Sequence, residues 1–137
     1  MGLMLDTGVL IHAEKKGIFI DFNQWESYGE VYISVVTVSE LLMGVQLADT
    51  KARKLKRSAF VESILSEIPI INFTPEVARL HAEIYAHLAK QGQLIGAHDL
   101  IIAATALMQG HALLTTNSRE FNRVPGLEVL ELFSAIV

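Results

Sequence analysis

Short apolar runs and longer stretches of helical spacing alternate along the chain. The runs "LML" (3–5), "VYISV" (31–35), "EIPII" (67–71) and "HALLT" (111–115) read as strands, and "LEVLEL" (127–132) as a fifth. Between them, Thr7–Glu14, Ile18–Tyr28, Val35–Ala48, Ala52–Leu65, Pro75–Gln91 and His98–Gln109 suit helices. Thr74 is placed to cap a helix whose first turn holds Pro75. Gly92 and Gly110 stand where helices should stop. Strands separated by helices predict an α/β fold with three layers, α/β/α, around a mostly parallel sheet of four to five strands. No repeat or linker interrupts the pattern, so residues 1–137 are expected to form one domain. In sheets of this kind the working crevice opens at the carboxyl ends of the strands.

Composition narrows the chemistry. Hydrophobic residues make up 51% of the 137, enough to bury a single core and too many for a disordered chain. A net charge of −4 argues against a surface that coats nucleic acid generally, but leaves a local site open. Without cysteine, disulfides, thiolate catalysis and a Cys-ligated zinc are excluded. The most apolar run, "LIIAATALM", is far short of the roughly 18 residues that span a bilayer, so no membrane role is expected. The opening residues lack the basic and apolar regions of a secretory signal, and Asp6 stands where myristoylation needs Ser or Thr. The expected location is the cytoplasm.

Against this background three acids stand out. Asp6 directly follows the first strand, although burying an ionised carboxylate costs several kcal/mol, on the order of more if it is unpaired. In "ISVVTVSELLMGVQLA", Val38, Leu41, Leu42 and Val45 form one apolar face, and Val36, Met43 and Leu47 a nearly opposite one. Ser39 and Gln46 mark the polar stripe, while Glu40 falls on the side of Val36, Met43 and Leu47 and is expected to be largely buried. The competing reading is an ordinary surface glutamate. Asp99 opens a helix that is apolar almost all round, with Ala103, Ala104 and Ala106 permitting close approach to the sheet. A helix dipole stabilises such an acid by about 0.3–1 kcal/mol, which is the local explanation for it. Should the three converge, their repulsion would protonate one of them unless a cation compensates. A hard divalent ion, Mg²⁺ or Mn²⁺, is the natural compensation, and metal-dependent phosphodiester chemistry the favoured inference.

The segments "MLDTGVLIH", "ISVVTVSELLMG", "IGAHDLIIAATAL" and "LLTTNSREFNRVPGLEV" resemble, in order, the four motifs of PIN-domain ribonucleases. Within that group the chain is most similar to VapC-type toxins of bacterial toxin–antitoxin pairs, over its whole length. The resemblance implies that Asp6, Glu40 and Asp99 gather Mg²⁺ or Mn²⁺ for hydrolysis of an RNA phosphodiester. Asp6 and Asp99 would be the principal ligands and Glu40 would complete the cluster. It also implies a homodimer, and an antitoxin whose C-terminal segment packs near the early helix bearing Trp25 and Tyr28 and blocks the site.

The fourth motif departs from the family pattern. Asn117 occupies the position where many PIN domains have Asp; its amide oxygen can still ligate or hold a water, with Thr115 hydrogen-bonding nearby. Glu120 either reaches into the site or closes a capping box on Asn117, and capping is the expected role. The basic run "KARKLKR" (51–57) reads first as a solvated helix face, with RNA phosphates or an acidic partner as alternatives. His98, beside Asp99, invites a proton-transfer role, but a local hydrogen bond is the simpler account. His12, His81, His87 and His111 show no ligand spacing. Two rivals remain: a PIN-fold module that binds RNA or a protein without cleaving, and a phosphoacceptor receiver domain. The latter needs paired acids after the first strand and a late lysine, which "LDTGV" and "HALLTTNS" lack.

Overall fold

The computed structural model describes Met1–Leu132; the last five residues of the expected domain lie outside the described residues. Its strands are β1 (Leu3–Leu5), β2 (Val31–Ser34), β3 (Ile70–Ile71), β4 (Ala112–Thr115) and β5 (Val129–Glu131). All pair in parallel, in the order β3-β2-β1-β4-β5. Helices cover both faces, so the predicted three-layer arrangement is the one observed. The strands are short apolar runs because both faces of a parallel sheet are buried. Met4 and Leu113 pack into one cluster; Leu3, Leu5, Ile33 and Leu114 point the other way into a second. β3 is shorter than the run that predicted it. Pro69 has no amide to give, and its carbonyl accepts from Ile33 N–H at 3.1 Å before the two-residue strand begins.

Among the described residues six α-helices connect the strands: α1 (Thr7–Lys16), α2 (Val35–Gln46), α3 (Lys51–Glu67), α4 (Pro75–Lys90), α5 (Ala97–Met108) and α6 (Ser118–Phe121). α4 begins as expected, with Thr74 Oγ1 accepting from Val77 N–H at 3.3 Å and Pro75 in the first turn. α5 lies against the sheet through Ile102, Ala103, Ala104 and Ala106, all fully buried, and shares that layer with Val77, Ile84 and Leu88 of α4. Val9 and Leu10 of α1 and Val61 of α3 fill the opposite layer. α2 bridges the two: Leu41 and Val45 pack with the α1–α3 side, Val36 with the α4–α5 side.

Two expectations are corrected here. The stretch Ile18–Tyr28 is not an α-helix. α1 stops at Gly17, which takes a left-handed φ of 62°, and only Phe22–Tyr28 coil again, as a 3₁₀ helix. Trp25 leaves helical geometry there (φ −113°, ψ 17°) and is buried against Phe22. It is a core residue. On α2 the buried positions are Thr37, Leu41 and Val45, whereas Met43 is 49% and Leu47 78% exposed. Glu40 is therefore half-buried at the edge of the α2–α5 crossing, not sunk in an apolar face.

Candidate active site

β1 has β2 on one side and β4 on the other, so the chain direction across the sheet reverses there, and a crevice forms at the carboxyl ends of β1 and β4. Asp6 stands at that point. Its amide extends the ladder by donating to Leu114 O at 2.9 Å, and its residue forms the N-cap of α1 without its carboxylate closing the cap. Thr115 Oγ1, at the end of β4, instead donates to Asp6 Oδ2 at 2.8 Å and accepts from Asn117 N–H at 2.9 Å. Asp6 is 7% exposed. Burial pushes its carboxyl above the usual range and the charge of Glu40 adds to this, while the Thr115 hydroxyl and the Thr7 amide pull it back.

Glu40 reaches the crevice from α2. Thr7 Oγ1 donates to Glu40 Oε1 at 2.7 Å and lies 3.0 Å from Thr37 Oγ1. The second carboxylate oxygen, Oε2, is 3.4 Å from His98 Nδ1 of α5. His98 thus contacts another helix rather than hydrogen-bonding locally. Asp99, in the first turn of α5, is the most perturbed carboxyl. It is pushed up to about 6, by burial first and then by the negative charges of Asp6, Glu120 and Glu40, with His98 pulling the other way. Acids from three other elements, β1–α1, α2 and α6, therefore all act on Asp99 of α5.

Glu120 corrects the capping expectation. Asn117 precedes α6 but its side chain makes no capping bond; Ser118 N–H finds Glu131 Oε2 of β5 at 3.0 Å. Glu120 is near enough for its charge to raise the Asp99 carboxyl. The Asn117 side chain is exposed, and what the residue supplies is its amide, which holds Thr115. Thr7, which holds Glu40, and Thr37, which pairs with Thr7, were missed in the sequence. The available signal was a hydroxyl directly after Asp6 and another one helical turn before Glu40. Gly8 belongs to the same construction, since a Cβ there would sit 2.9 Å from Thr116 Oγ1 and 3.8 Å from Asp6 Oδ2.

Among the described residues no three His, Cys, Asp or Glu side chains stand close enough to enclose a metal ion by themselves. Carboxylate and hydroxyl oxygens around an open crevice suit a different kind of ion. Mg²⁺ binds through one or two carboxylates and retains its other ligands as water, so the donor set fits it.

Fold and site together define a doubly wound α/β domain with an acidic centre at its switch point. The PIN domain family model matches residues 3–127. A ribonuclease VapC1 of Rickettsia felis is 40% identical over 134 residues, covering 98% of each chain. The crystal structure of VapBC2 from Rickettsia felis, bound to a DNA fragment from its promoter, superposes with a TM-score of 0.85. It is 28% identical and covers 96% of this chain and 98% of that one. VapBC-5 of Mycobacterium tuberculosis, a member of the VapBC family of toxin–antitoxin systems, gives a TM-score of 0.76 at 27% identity, covering 96% and 99%. The chain belongs to the PIN domain family.

Proposed function

We propose that the protein is an endoribonuclease that hydrolyses RNA phosphodiester bonds with the help of Mg²⁺ or Mn²⁺, as the toxin of a toxin–antitoxin pair. The observation that carries this reading is the convergence of Asp6, Glu40, Asp99 and Glu120, from distant parts of the chain, at the switch point of the sheet. Asp6 and Asp99 would hold the ion, which supplies charge neutralisation at the phosphate and acidifies water. Asp6 is fixed for this by Thr115 and the Thr7 amide. Glu40, clamped between Thr7 and His98, orients the attacking water by accepting its hydrogen bond. Water adds to phosphorus and gives up a proton to solvent, the P–O bond to the neighbouring ribose breaks, the departing ribose oxygen takes a proton from solvent to leave as a hydroxyl, and no covalent enzyme intermediate is required. The name of the Rickettsia felis relative supports ribonuclease activity, and the VapBC family of the Mycobacterium tuberculosis structure supports an antitoxin as partner. We also propose a homodimer. Among the described residues no helix is long and apolar enough to cross a membrane.

Incubation of the purified protein with RNA tests this. Cleavage is expected with Mg²⁺ or Mn²⁺ and not with EDTA. Asp6→Asn and Asp99→Asn should each lower it by about two orders of magnitude or more while the protein still melts cooperatively. RNA retention without cleavage under any divalent ion would favour the non-catalytic binding module instead.

A further inference from the structure

The acidic centre does not end at Glu40. The same residue lines a cavity of about 260 Å³ between α1, α2 and α3, whose other walls include Ile11, Glu14, Gly44, Arg57 and Phe60. Arg57 is held in place by two neighbours: its Nη1 donates to Gly44 O at 2.9 Å and its Nε faces Glu14 Oε1 at 3.3 Å. A guanidinium plane fixed along its edge and an aromatic ring in one small cavity are the means by which proteins hold an unstacked base. The volume is below the roughly 300–1,000 Å³ that encloses a drug-sized ligand, and suits one heterocycle.

Charge supports the same occupant. Glu14, Lys15, Arg57 and Phe60 also border a larger groove, of about 810 Å³, that carries Arg53 and Lys56 of α3. A polyanion repelled by four carboxylates needs cations beside them; Lys56, and Arg53, which also pairs with Asp49 at 2.8 Å, line the groove that continues from the cavity Glu40 borders. Taking the nuclease reading as its basis, we propose that the small cavity seats the base of one unpaired nucleotide flanking the scissile phosphate, with Arg57 as its anchor. The cavity then sets which strand segments are cut: a base kept in a duplex stack cannot enter.

Gly44 supplies the test. A Cβ there would meet only Arg57, at 3.7 Å from Cδ and 4.0 Å from Nη1, which is ordinary contact. Gly44→Leu therefore fills the cavity, Gly44→Ala encroaches on it, and both favour the helix they sit in. The probe is a single-stranded RNA oligonucleotide that the wild-type protein cuts, remade with an abasic residue at each position around the cut. One abasic position is expected to lower kcat/KM of the wild type by about tenfold, chiefly through KM. Gly44→Leu should lose about as much on intact RNA and nothing further at that abasic position, the signature of two changes removing one interaction. Arg57→Gln should show part of the same pattern. Should Gly44→Leu melt abnormally, Gly44→Ala is read in the same cycle and gives a smaller loss at the same position. Equal cutting of all abasic RNAs, or losses that multiply independently, would overturn the cavity while leaving the nuclease reading standing. Failure of the wild type to cut any RNA would overturn both.

Discussion

Asp99 carries the clearest pH signature among the site residues. An ordinary aspartate titrates near 3.8, whereas in this fold Asp99 is raised to about 6. Between those values the folded protein holds a proton that the unfolded chain has released. This group's favourable contribution is therefore complete below pH 3.8, shrinks as pH rises and is gone above 6. Thermal melts in EDTA should show that slope in the wild type and lack it in Asp99→Asn. The variant should be more stable at pH 7 by about 1 kcal/mol, allowing for solvent screening of a partly exposed group. Glu120 gives the contrasting case. A lost cap would cost about 0.5–2 kcal/mol. With the charge of Glu120 raising Asp99 instead, Glu120→Gln should leave the metal-free melting temperature equal or higher and reduce RNA cleavage, measured side by side. The spacing Asn117–Glu120 imitates a capping box, and no local pattern reveals a carboxylate 21 positions away on α5. Asp6 and Asp99 were legible because each interrupts or opens an apolar segment. Glu40 was legible as an oddity, but periodicity alone does not say which of two apolar faces of α2 meets the sheet.

Elements defined by burial on all sides were the easiest to read. β1, β4 and α5 are almost wholly apolar, and each lies within one residue of its expected bounds. The failure at Ile18–Tyr28 has a local cause: Gly17 ends α1, Asp21 Oδ1 accepts from Asn23 N–H in a tight turn, and Trp25 is drawn into the core. Helical spacing over so short a stretch does not weigh those competing bonds. α5 owes its position to its alanines. Ala103 is fully buried in the cluster shared with α4. Ala103→Leu should cost about 1–3 kcal/mol in urea denaturation, and should lower activity as well, because α5 carries both Asp99 and His98. A variant that melts and cuts like the wild type would show that the α5 layer yields more easily than its packing implies.

At the scale of the whole molecule the acid cluster is a liability that the proposed ion would remove. Anything that binds the folded state alone stabilises it, by about 2.7 kcal/mol at a hundredfold excess over its Kd. Mg²⁺ or Mn²⁺ should therefore raise the melting temperature of the wild type and do so much less in Asp6→Asn. A shift equal in both would place the ion elsewhere. The arginines of α3 pair with Asp49 and Glu14 and leave the crevice acids uncompensated, in a chain whose net charge is −4.

The bond from Thr115 to Asp6 joins residues 109 positions apart. During synthesis the two halves of the centre leave the ribosome at different times, and β1 must wait for β4 before its carboxylate is held. Asp99 and Glu120 arrive late as well. A partly made chain therefore has no assembled acidic centre, and the proposed activity would have to wait until β4 and α6 had been added.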